Sequence, residues 1–314
     1  MSTYTRFAER TGANCRTQID KQPPCLRVEL APVHGWSPEE ETMKKSPQPL
    51  DETLRLSALE DGIFSGVILP TWSQGRACFG GILLALCSRA TRLLVSPERR
   101  LLSINITYVG PVAPGSIEVR CERLREGSSV SHLECRVLQD GKPRVVTIVS
   151  YGTRRLGSLD MPRIELPNWA GEPGAGMELP FIPPLSPEFT QHLDYRWEAP
   201  YMPLGGAETP CVRGWLRPAL PATLDEAQIL VMLDAFPPPL WSQATAPFPA
   251  SSLSSHFQMV DAVPTANAHP WFYYDGPATV IGEGYSDVRA HLWHEDGTLI
   301  AIGAQQFADF SGRT

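Results

Sequence analysis

Residues 78–95 read CFGGILLALCSRATRLLV, and the fold turns on this stretch. Wound at about 3.6 residues per turn, it places Phe79, Ile82, Leu83, Leu84, Ala85, Leu86, Cys87, Ala90, Leu93 and Leu94 on nearly every face. A surface helix shows one apolar stripe, whereas a helix that is apolar all round is enclosed by the rest of the chain. Four strand-like segments follow it: LLSINITYV (101–109), SIEVRCERL (116–124), SVSHLECRVL (129–138) and PRVVTIVSYG (143–152). The last two are joined by Asp140-Gly141, a pair suited to a tight hairpin turn. One enclosed helix and four strands imply an antiparallel sheet curled around that helix.

The plan recurs further along. CVRGWLRP (211–218) reads as a strand and TLDEAQILVMLDAF (223–236) as a second helix. Thr223 and Glu226 match a capping box at its start, and Pro237, Pro238 and Pro239 stop it. Strand candidates follow at 251–260, 270–274, 278–293 and 298–309, with Asp296-Gly297 at a second hairpin. The sequence therefore predicts an α+β chain built as a degenerate internal repeat. Residues 54–152 form the first unit, beginning with an extended stretch over 54–72, and 201–314 form the second. Residues 153–200, rich in Pro and Gly, are expected to be a linker draped over the surface. Residues 1–53 lack periodicity and are expected to be a mostly disordered leader. Met43, which opens MKKSPQPLDETLRL, offers an alternative start.

Composition excludes several classes. Lys and Arg total 27 against 34 Asp and Glu, and the net charge of −7 argues against a general nucleic-acid binder. No run reaches the roughly 18 apolar residues that a membrane span needs. The longest candidate, Gly80 to Leu94, is broken by Ser88, Arg89 and Arg92. Seven scattered cysteines without a CxxC fit a reduced compartment. With no apolar stretch near the N-terminus to serve as a secretory signal, the expected location is the cytoplasm.

Asp234 is the most informative single residue. It lies near the end of the second helix in ILVMLDAF, among apolar neighbours. The helix dipole disfavours a carboxylate there, and burial of an unpaired charge costs several kcal/mol. Either the side chain turns out to solvent at the proline stop, or it belongs to a site that uses a carboxyl of raised pKa as a general base. A comparison of the two hairpins supplies a second hint. Nine residues after its Asp, the first carries Val149 and the second Gln305. A buried amide needs partners; the alternative is a solvent-facing Gln on an edge strand. A third, weaker signal is PASSLSSHFQMV (249–260), a strand with hydroxyls at Ser251, Ser252, Ser254 and Ser255. Strict alternation places Ser252 and Ser254 on one face.

From FGG (79–81) through YVGPVAPGS (108–116) to LREGSSVSHLECRVLQDGKP (124–143), and again at LDAFPPP (233–239) and LWHEDGTLIAIGAQQF (292–307), the chain resembles the acyl-CoA thioesterase II (TesB-like) family. It departs from that family's pattern at Gly110, where an Arg is usual. The resemblance covers roughly residues 54–310 and implies a double hotdog fold, two long helices each wrapped by an antiparallel sheet. It further implies hydrolysis of acyl-CoA or a related acyl thioester, no cofactor, no metal, and assembly into a homo-oligomer. In that family an Asp, a Thr or Ser, and a Gln together hold the hydrolytic water. Carried over by motif these are Asp234, Ser252 and Gln305, with Ser252 standing where Thr is commoner. Backbone amides near Gly80 and Gly81, at a helix N-terminus, are the expected oxyanion donors.

Two rival functions remain on the same fold: a non-catalytic acyl or acyl-CoA binder, and a dehydratase or hydratase, whose usual Asp–His pair near a helix start is not found. Other signals are set aside. Gly284-Tyr285-Ser286-Asp287 lacks the closing glycine of a nucleophile elbow, and no phosphate-binding glycine motif occurs. His291 and His294, three apart in a strand, face opposite sides and do not make a metal pair. Trp271, Phe272, Tyr273 and Tyr274 read as sheet packing, with an acyl-pocket lining as the alternative.

Overall fold

The computed structural model describes residues 46–155, 157, 163–262 and 269–310. The first 45 residues of the expected leader (1–53), and with them the alternative start at Met43, lie outside the described residues, whereas its end at 50–53 is helical rather than disordered. A short helix α1 (Leu50–Thr53) precedes the hairpin β1 (Ser57–Glu60) and β2 (Ile63–Ile68), then a small hairpin β3 (Ser73–Gln74) and β4 (Ala77–Cys78). The enclosed helix is α2 (Gly80–Arg92), followed by β5 (Arg100–Tyr108), β6 (Gly115–Glu126), β7 (Val130–Gln139) and β8 (Lys142–Gly152). The second half comprises β9 (Leu193–Trp197), β10 (Cys211–Pro218), α3 (Glu226–Leu233), β11 (Ala250–Met259), β12 (Phe272–Pro277), β13 (Ile281–Gly282), β14 (Tyr285–His294) and β15 (Leu299–Asp309).

All but β3 and β4 join one antiparallel sheet, in the order β1-β2-β6-β7-β8-β5-β11-β15-β14-β12-β10-β9, with β13 added on β14. Outward from the β5–β11 seam the halves read β5-β8-β7-β6-β2-β1 and β11-β15-β14-β12-β10-β9, the same plan twice. At the middle of the seam Asn105 pairs with His256. A two-fold rotation about that pair exchanges Ile104 with Ser255, and their neighbours Val149 and Gln305.

The helices pack on each other and under the sheet, α2 against β6, β7 and β8, and α3 against β10 and β15. From Gly81 to Ser88 every residue of α2 is buried, as an all-round apolar helix requires. A Cβ on Gly81 would stand 3.2 Å from the Cα of Val231, so the missing side chain sets how closely the helices cross.

Three local expectations are corrected. The helix predicted over 223–236 is shorter, and its cap is Asp225, whose carboxylate accepts from the amides of Ala227 and Gln228 at 2.9 and 3.2 Å. A carboxylate is the stronger acceptor at a helix start. Glu226 is drawn away from the capping box by Arg92, at 2.6 and 2.7 Å, and by the amide of Leu101 at 2.7 Å. The two Asp-Gly hairpins also differ. Asp140 and Gly141 both have positive φ, the two-residue primed turn. In the second, only Gly297 does, and the amide of His294 bonds to the carbonyl of Thr298, giving a longer loop with a bulge. Finally, the stretch expected to be linker contains β9, the edge strand that pairs with β10.

Candidate active site

The end of α3 builds the centre. Its apolar run stops at Asp234, the C-cap, because the three prolines from Pro237 admit no further turn. Asp234 is 8% exposed, so its carboxyl has turned inward rather than out to solvent. It points at the start of α2, and the backbone N–H of Gly81 and the side-chain amide of Gln305 come close enough to favour its charged form. The positive end of the α2 dipole favours the anion, but desolvation outweighs both amides. The carboxyl is pushed up to about 8 from 3.8.

Gln305 is buried on β15. Its Nε2 donates to the carbonyl of Leu233, 3.3 Å away, which ties the strand to the last turn of α3. Directly across the ladder on β11 stands Ser255, 4% exposed, with a buried hydroxyl that has no protein partner. The fourth group is Tyr108, the last residue of β5. A Cβ on Gly80 would lie 2.6 Å from Asp234 Oδ2 and 2.7 Å from the Tyr108 hydroxyl. Carboxylate and phenol thus share the space above a glycine at the helix N-terminus, and a side chain there would force one of them to shift.

Aromatic rings wall one side. Phe236 stacks on Tyr274 at 4.3 Å between centroids and meets Trp197 and Tyr195 edge-on at 5.0 and 5.8 Å. The Tyr195 hydroxyl donates to the carbonyl of Ala235 at 3.3 Å. Burial first, and then the charge of Asp234, hold the phenols of Tyr195 and Tyr274 protonated far above the usual range. A cleft of about 570 Å³ opens beside the same strands, lined by Asn105, His256, Tyr285, Arg289, Ser255 and Gln305 among others.

Residues 68–153 match the acyl-CoA thioesterase N-terminal domain, and residues 168–308 match the acyl-CoA thioesterase C-terminal domain. The chain belongs to the acyl-CoA thioesterase II (TesB-like) family. Solved structures agree on its α+β double hotdog fold. A protein of unknown function with a hot dog fold from Alicyclobacillus acidocaldarius superposes with a TM-score of 0.72 at 20% identity, over 83% of this chain and 98% of that one. Acyl-CoA thioesterase II TesB2 from Mycobacterium marinum gives 0.65 at 20% identity, over 84% and 100%. The tesB protein of Mycobacterium avium subs paratuberculosis gives 0.62 at 16%, over 82% and 97%. At these identities the likeness speaks for the fold alone. No curated protein matches this sequence.

Within this thioesterase fold, Asp234 and Gln305 come together while Ser252 stands apart. A bulge between Ser252 and Ser254 places Ser252 opposite Phe307 and Ser255 opposite Gln305. The alternation that paired Ser252 with Ser254 holds only for an unbroken strand, and the inserted residue shifts the register. The signal for Ser255 lay in the repeat: its counterpart in the first half is Ile104, beside Val149, as Ser255 is beside Gln305. Gly80 and Gly81 lie at the start of α2, where expected, with the Gly81 amide near Asp234. Tyr108 carried no sequence signal beyond ending an apolar strand. Among the described residues no three His, Cys, Asp or Glu side chains cluster to hold a metal, and no helix is long and apolar enough to cross a membrane.

Proposed function

We propose that the protein hydrolyses acyl-CoA or a closely related acyl thioester by direct attack of water, with Asp234 as general base and Ser255 and Gln305 as the groups that position the water. The water oxygen forms a bond to the thioester carbonyl carbon while one water proton passes to Asp234. The carbonyl π pair moves onto oxygen. When it returns, the C–S bond breaks with its electron pair on sulfur, and the proton on Asp234 passes to the thiolate. The products are the free acid and the thiol, and no covalent enzyme intermediate forms.

One observation carries this reading: a carboxyl buried at the C-cap of α3, with its pKa raised to about 8, beside the buried amide of Gln305, whose ladder partner on the adjoining strand is the buried Ser255. A base poised near the working pH is what proton transfer asks for. Family membership supports the thioester as substrate. The test is thiol release by the purified protein from acyl-CoAs of several chain lengths. Turnover that Asp234→Asn abolishes supports the proposal. Binding without thiol release by the unaltered protein would instead mark an acyl-CoA binder.

A further inference from the structure

We infer that Tyr108 is a further catalytic residue, whose phenol donates a hydrogen bond to the thioester carbonyl oxygen and holds the negative charge that develops there as water adds; this presupposes the hydrolysis proposed above. The Tyr108 hydroxyl is buried and has no hydrogen-bond partner in the protein. An orphaned buried hydroxyl costs about 1–3 kcal/mol, and a phenylalanine ring would fill the same space without that cost. Packing alone therefore does not account for the oxygen.

Its position does. The hydroxyl lies within 2.7 Å of the point above Gly80 that also lies 2.6 Å from the Asp234 carboxylate. Ser255, another buried hydroxyl without a partner, comes close enough to influence the phenol's ionisation. Burial, and then the charge of Asp234, hold the phenol protonated well above its ordinary range, so it remains a neutral donor wherever Asp234 works as a base. The Gly81 amide at the same helix start is turned toward Asp234, and an addition step needs a donor aimed at the developing oxyanion. The two-fold of the sheet marks Tyr108 as particular to this end. Its counterpart on β11 is Met259, a buried residue with no donor.

Tyr108→Phe removes the hydroxyl and keeps the ring. The expected result is a kcat lower by about 10²–10³-fold with KM nearly unchanged, the usual loss for one oxyanion donor. The unfolding midpoint should hold or rise. Two acyl-CoA analogues separate catalysis from packing. One carries a trifluoromethyl ketone, whose hydrated carbonyl copies the tetrahedral adduct; the other is a thioether without a carbonyl. Affinity for the first should fall in parallel with kcat, and affinity for the second should stay put. A kcat within threefold of the unaltered protein, or equal losses for both analogues, overturns the role of Tyr108. If Asp234→Asn is inactive while Tyr108→Phe is normal, only Tyr108 is lost. If the unaltered protein releases no thiol, the hydrolase reading falls and Tyr108 with it.

Discussion

Replacing Asp234 by Asn exchanges a carboxyl for an amide of nearly the same size and shape, so the variant reports charge rather than packing. Burial keeps the native carboxyl protonated up to about pH 8, against an ordinary value of 3.8. In the unfolded chain it ionises near pH ~4. Across the window between these values the native state holds a proton that the unfolded state has lost, and native stability falls as pH rises. Below the window both states are protonated, and above it both are ionised. Each unit is worth ~1.4 kcal/mol, so the whole window of about four units comes to about 6 kcal/mol. The Asn variant has no such proton to lose. At pH 4 the two proteins should melt nearly together, and by pH 9 the variant should melt about 12 °C higher, at ~2 °C per kcal/mol for a chain of this size. Activity should run the other way. A base with a pKa of about 8 becomes about tenfold more ionised between pH 7 and pH 9, and kcat/KM should rise with it, while the variant loses about 10³-fold throughout. Thermal melts across pH 4–9 and thiol release, corrected for spontaneous hydrolysis, measure both sides. A flat pH–rate profile, or identical pH dependence of stability in the two proteins, would show that Asp234 is no buried base.

Ser255→Ala should lower kcat by about 10²-fold, while Ser252→Ala stays within twofold of the unaltered protein; parallel thiol-release assays decide between the two hydroxyls. Gly80→Ala forces a methyl group to 2.6 Å from Asp234 Oδ2 and 2.7 Å from the Tyr108 hydroxyl, and should cost at least about tenfold in kcat in a protein that circular dichroism finds folded. Glu226→Gln weakens the two-pronged contact with Arg92 and should destabilise by about 2 kcal/mol, read as a lower unfolding midpoint.

How much of this was legible depended on the range of the forces involved. The enclosure of α2 and most strands follow from local periodicity and appeared where expected, while β9 lies in the stretch expected to be linker and the strand expected over 278–293 is divided between β13 and β14. The start of α3 was not where expected, because three residues compete there. Asp225 wins the cap and Glu226 is claimed by Arg92 from α2, a tertiary partner that no local pattern reveals. Asp234 and Gln305 stood out since each is a polar residue where the surrounding pattern asks for an apolar one. Ser255 was hidden by the bulge after Ser252, which breaks the period of two on which facing arguments rest. Tyr108 was hidden differently. A tyrosine closing an apolar strand fits the core pattern well, and only the geometry shows that its oxygen is without a partner.

The near-symmetry of the sheet also bears on why one end of the helix pair holds the proposed site and the other does not. At the end with the site, α2 begins with two glycines, and Gly81 turns its amide toward a carboxylate supplied by the end of α3. At the opposite end the helices exchange roles, but the charges are arranged differently. The start of α3 carries its own acids, Asp225 and Glu226, and the last turns of α2 answer with Arg89 and Arg92, at 2.6 Å in each pair. Cations at a helix C-terminus and anions at a helix N-terminus both complement the dipoles, so that end is satisfied and stable. The strand positions follow suit: Ile104 and Val149 fill with hydrocarbon the places that Ser255 and Gln305 occupy on the other side. A carboxyl at the end of α3 is instead opposed by its own helix dipole and by burial. It persists there because the start of α2, stripped of side chains, offers it an amide and leaves room for the groups that work with it.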